Sequence, residues 1–205
     1  MVSLLNEPIG QIMVVHKIIL TLTIIMQSLL TVRGDLSENF KLREELILQV
    51  FRDNRFEYSF LLGKEQFSAE LICLGDQLGK ILNCIKYELR NHCWFVFDVF
   101  GSSHTLMSCL FPQDQAGICL INTTEELIEK VKKVIQFERG VFIAFPINKE
   151  VLWKKNLLPQ TEALEGLHHP ESEIEIRAFD YSYFEVYTLR DTLSKVFRSC
   201  FKFPV

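Results

Sequence analysis

The chain has 205 residues, of which 22 are Lys or Arg and 26 Asp or Glu, giving a net charge of −4. Nearly half of it is apolar (48%), 23% is charged, and there are only 9 Gly and 6 Pro, which excludes a disordered or collagen-like chain and fits an ordinary globular domain. No basic run is longer than Lys132-Lys133 or Lys154-Lys155. Nucleic acid is therefore not the expected partner, because neutralising phosphates takes clustered cations.

Residues 1–34 stand apart from the rest. Their only charged residues are Glu7, Lys17 and Arg33, and residues 18–32 are almost all apolar or Thr. As a signal peptide the segment would use Lys17 as its basic flank, with a cut before Asp35. As a membrane anchor through residues 9–32 it falls short of the ~20 apolar residues a spanning helix needs. As a strand it alternates Leu20, Leu22 and Ile24 with Thr21 and Thr23, a period of two.

Residues 35–205 read as a single α+β domain. An amphipathic helix is expected over 37–53, then a strand over 55–62 with Phe56, Tyr58 and Phe60 on one side. A second strand is expected over 69–74, and a helix over 77–90. Cys93 to Phe100 has apolar groups on both faces, the pattern of a central strand covered on both sides. Gly101-Ser102-Ser103 reads as a turn, with 104–111 returning as an antiparallel neighbour. A short strand over 117–121 leads into a helix over 124–137, capped by Thr123-x-x-Glu126 and stopped at Arg139-Gly140.

An apolar strand over 141–145 ends at Pro146. Residues 149–157 are expected as a short helix or irregular cover, and 159–170 as a polar loop. Residues 173–179 and 183–187 form a hairpin around Asp180-Tyr181-Ser182, and Thr188-x-x-Asp191 caps a last helix. Mixed elements without strict alternation favour a largely antiparallel sheet with amphipathic helices packed on it.

Six cysteines, Cys73, Cys84, Cys93, Cys109, Cys119 and Cys200, sit among apolar neighbours rather than in a Gly-punctuated disulfide framework. This favours a reduced, cytoplasmic domain over a secreted or membrane-anchored one. His92, Cys93, His104 and Cys109 contain the beginnings of a zinc site. However, His104 lies about five residues from Cys109 along a strand, roughly 16 Å away, and no CxxC or HxxxH spacing occurs, so no metal is expected. His168-His169 reads as a solvent-exposed pair. Neither a nucleotide-binding glycine motif nor a serine-nucleophile elbow is present, and no cofactor is expected.

Asp98 lies inside an apolar strand and must find a partner. Arg177 and Glu185 should face each other across the last hairpin as an ion pair. The expected function is a small binding module acting through contacts with another protein, in an inhibitor or immunity-type manner, with Trp153, Arg177, Tyr181 and Tyr183 as binding residues. The competing expectations are a hydrolase-like enzyme using the carboxylates Asp98, Asp180 and Glu185, and an exported or membrane-tethered domain.

Overall fold

Six antiparallel strands with helices packed on them give the chain an α+β fold. A computed structural model describes residues 58–153, 157–163 and 165–203, which fall in one compact unit, Glu57–Val205. The N-terminal apolar segment, the helix expected over 37–53 and the start of the strand expected at 55 lie outside the described residues. In chain order the elements are β1 (Tyr58–Leu62), a 3-10 turn (Lys64–Gln66), α1 (Leu74–Ile85), β2 (His92–Ser103), α2 (Met107–Leu110) and β3 (Cys119–Ile121). They continue with α3 (Thr124–Val131), β4 (Val134–Pro146), β5 (Ile174–Phe179), β6 (Tyr183–Thr188) and α4 (Asp191–Cys200). The strand order is β1-β6-β5-β4-β2-β3, and every neighbouring pair is antiparallel.

The two-residue period of each strand sorts its side chains between two different covers. Phe60 and Leu62, Trp94 and Val96, Phe142 and Ala144, Ile174 and Ile176, and Phe184 and Val186 face the helices. There they form the main core with Leu78, Ile81, Leu82, Leu127, Val131, Leu193 and Phe197. The indole N–H of Trp94 donates to Thr124 Oγ1 at 3.0 Å, so the first turn of α3 is tied to the sheet through a satisfied buried donor. On the opposite face, Phe97, Val141, Ile143 and Phe145 form a second cluster covered by Val151, Trp153 and Leu158. β2 is thus covered on both sides as its sequence implies, although β4 and β5 hold the middle of the sheet.

Several local expectations give way to tertiary pairing. Residues 69–73 turn rather than extend, and α1 starts at Leu74. Residues 104–111 do not form a strand beside β2. Met107–Leu110 is a single helical turn, and β2 pairs with β3 and β4 instead. The helix expected to reach residue 137 ends at Val131, because Val134 and Phe137 are taken into the ladder opposite Ser103 and Gly101. Gly140 therefore lies inside a thirteen-residue strand and not at a helix end.

Thr123 does cap α3, its side chain accepting from the Glu126 N–H. Thr188 does not cap α4. The N-cap there is Arg190, and Thr188 Oγ1 donates to Glu173 O while accepting from Arg190 N–H.

Candidate functional site

The alternation of β5 sends Glu175 and Arg177 away from the helices, where they are 0% and 1% exposed. Residues of the segment between β4 and β5 fold over them. Arg177 Nε donates to Glu175 Oε1 at 2.6 Å, Nη1 to Ala163 O at 3.3 Å, and Nη2 to Gly166 O. The His168 backbone N–H reaches Glu175 Oε2 at 2.8 Å, and its Nδ1 lies 2.5 Å from Oε1. His168 Nε2 accepts from Gln160 N–H at 3.3 Å, and its Nδ1 also lies 3.3 Å from Arg177 Nη2.

The guanidinium also stacks 4.9 Å from the centre of the Tyr187 ring. Tyr187 in turn donates its hydroxyl to Glu185 Oε2 at 2.7 Å, and burial, then that bond, pushes its pKa up. The register places Arg177 opposite Glu185 as expected, but the guanidinium Nε turns to Glu175 on its own strand. A fully buried ion pair of this kind is held by the carbonyls and amides around it. Chemically it braces the covering segment onto the sheet and presents no open position to a substrate.

A second polar cluster lies at one end of the sheet. His92 Nε2 is 2.7 Å from Glu173 Oε2, to which Arg190 Nη1 also donates at 2.5 Å, and Arg190 Nη2 reaches Glu88 at 3.2 Å. The hydrogen bond from His92, followed by that from Arg190, outweighs burial and holds the Glu173 carboxyl down at about 2. His92 Nδ1 is buried without a hydrogen-bond partner among the described residues.

The three carboxylates proposed for hydrolysis do not meet. Asp98 occupies an irregularity in the β2–β4 ladder with φ 50°. It finds the partners its apolar setting demands: Arg139 Nε at 2.8 Å and the Thr161 N–H at 3.0 Å. Thr161 Oγ1 in turn accepts from Gly140 N–H at 3.0 Å, so Asp98 pins the covering segment as well. Asp180 is an exposed turn residue with φ 44°.

Glu185 lies three strands from Asp98's neighbour, along the row Phe97, Val141, Arg177, Glu185, roughly 14 Å away at sheet spacing. Among the described residues no group of three or more His, Cys, Asp or Glu is placed to hold a metal ion. Cys93 and Cys109 are not brought together by a hairpin.

Of the expected binding residues, Arg177 is internal. Trp153 packs against Phe97, Phe95, Phe145 and His169 at ring separations of 4.7–5.8 Å. Tyr181 is exposed and donates its hydroxyl to Glu138 at 2.5 Å, and Tyr183 stacks on Phe179 at 5.0 Å. His168 and His169 point apart, as adjacent residues do. Neither is free in solvent, since His169 sits edge-on to Phe145 at 5.0 Å, and burial lowers its pKa.

Sequence reading gave no role to Glu175, Glu173 and Arg190, took His168 as solvent-exposed and weighed His92 only for a zinc site. The only available signal was that the charges of β5 alternate within a strand whose neighbours are apolar on both faces.

Two surface features remain. A depression of about 400 Å³ opens between β2 and α2, lined by Val96, Val99, Met107, Phe111 and Cys119 with Ser108 and Gln113 at its polar side. Its ionisable group is the Cys119 thiol, which burial pushes up to about 11. On the opposite face, Leu152 and Leu157 are 78% and 72% exposed and Leu120 on β3 is 52% exposed. The neighbouring Val151, Trp153 and Leu158 are packed down on the second cluster.

No described helix is long and apolar enough to cross a membrane. In comparisons with protein-family models, curated proteins and solved structures, nothing matches this chain.

Proposed function

We propose that this unit is a protein-binding module whose contact surface is the apolar strip formed by Leu152, Leu157 and Leu120. The observation that supports it is the pairing of outward leucines with inward anchors. Val151, Trp153 and Leu158 belong to the second cluster, so Leu152 lies between two partly buried anchors and Leu157 beside a third. Pre-placed apolar side chains lose little conformational freedom on binding, which is what a contact surface needs.

Leu120 adds an exposed leucine at the edge of the sheet. There β3 has a strand on one side only among the described residues, leaving backbone groups for an extended segment of the partner. The complement is thus a protein presenting an aliphatic, extended stretch. Binding by a rigid surface without converging carboxylates suits an inhibitor or immunity-type role.

Replacing Leu152 and Leu157 together by Asp tests this reading. A photo-crosslinker at Leu152 in the otherwise native protein should yield a discrete adduct with one partner. The double substitution should weaken capture of that partner by at least tenfold, equivalent to about 1.4 kcal/mol, with an unchanged melting temperature. Equal capture by the double variant refutes the proposal.

A further inference from the structure

The cover on the second cluster includes one titratable ring. His169 stands edge-on to Phe145 at 5.0 Å and to Trp153 at 5.3 Å, and Trp153 in turn lies against Phe97 at 4.7 Å. The Nδ1 of His169 accepts from the Glu171 N–H at 3.2 Å. Its backbone carbonyl accepts from the Ser172 N–H at 3.0 Å and from the Ser172 hydroxyl at 2.7 Å. The ring is therefore held in a tight turn whose side-chain acceptor is an imidazole nitrogen.

Only the neutral imidazole can accept at Nδ1. The imidazolium carries N–H on both nitrogens, so protonation sets donor against donor at Glu171 and removes that bond. It also places a charge beside Phe145 and Trp153, where burial disfavours it. Among the described residues the charged groups acting on the ring are Glu171, on its own turn, and Lys149, just beyond β4, and these pair with each other at 3.4 Å. Burial lowers the pKa of His169, with Glu171 opposing and Lys149 assisting. From β2 the cluster receives Phe95, Phe97 and Cys93, whose thiol burial pushes up. The adjacent His168 is turned to Glu175 and Arg177 of β5.

Trp153 is poised to leave. Its indole N–H is buried without a hydrogen-bond partner among the described residues, a donor that water would satisfy once the ring swings out.

We propose that His169 is a pH-operated latch on Trp153: the neutral ring holds the indole on the sheet, and protonation in mildly acidic solution releases it, uncovering Phe97 and Phe145. The open state takes up its proton near the ordinary histidine value of 6.5 and the closed state only at lower pH. Closure is therefore fullest above pH 6.5 and weakens as pH falls below it. The latch depends on the aromatic cover alone and is independent of the protein-binding reading.

The test compares the full chain at pH 7.5 and pH 5.5. Trp94 is fully buried in the main core, so a change in acrylamide quenching of tryptophan fluorescence reports Trp153. The quenching constant should rise at least about twofold at the lower pH, with its midpoint below 6.5. Over the same range the protection factor of the Glu171 amide, corrected for the intrinsic exchange rate, should fall at least about threefold while the amides of α3 keep theirs. In His169→Phe, which packs but takes up no proton, both readouts should be flat between the two pH values. If that variant does not fold, His169→Asn serves, since its side-chain oxygen can accept the Glu171 N–H without titrating. Quenching that does not change with pH in the native chain, an equal change in the non-titrating variant, or a rise accompanied by loss of α3 protection overturns the proposal.

Discussion

Arg177 and Glu175 are charges that the fold has removed from water altogether, and the covering segment supplies what water no longer does. Removing one partner leaves the other buried and uncompensated. Arg177→Ala should therefore lower stability by about 3–5 kcal/mol in urea unfolding, whereas the apolar double replacement Glu175→Leu with Arg177→Met should cost clearly less. Glu173 gives a pH-dependent counterpart. Its folded carboxyl titrates at about 2 instead of 4.5, so the stability it contributes is full above pH 4.5 and is lost as pH falls towards 2. Urea midpoints across that window should show a loss of about 2 kcal/mol in the native chain, with a flatter limb in Glu173→Gln. Asp98 was readable from its neighbours, because a carboxylate in an apolar strand implies a partner. Glu175 was not, because alternating charges on a strand look the same whether solvent or another part of the chain covers them.

Among the elements, the junction of α3 with β4 is where local pattern and final structure part. Val131, Val134 and Ile135 fit a helical stripe, but the ladder with β2 draws Val134 onward into strand. No local period encodes that choice. The close packing of α1 on this junction has its own sequence requirement. A Cβ on Gly75 would stand 2.0 Å from Val134 O and 2.3 Å from Val131 O, both backbone atoms that cannot swing aside. Gly75→Ala should push α1 outward and cost about 2 kcal/mol or more, readable as a lower urea midpoint and faster amide exchange in α1. By contrast, the hairpin of β5 and β6 and the Thr123 cap follow directly from turn and capping residues. They were visible in the sequence because their causes are only a few residues apart.

For the unit as a whole, the antiparallel sheet under amphipathic helices could be inferred from residue patterning, while the strand order could not. The order depends on pairings between distant segments, and the second cover on β2 depends on a stretch of chain with no period of its own. That stretch is anchored from several directions: Trp153 into the aromatic cluster, Thr161 to Asp98, and Gly166 to Arg177. Its outward leucines are therefore held in place without being buried. Among the described residues β1 finds its neighbour only in β6, with Tyr58 opposite Thr188. On a ribosome, the earliest of these strands must wait unpaired until the latest has left the exit tunnel. Phe60 and Leu62 are in the meantime open to whatever chaperone reaches them first.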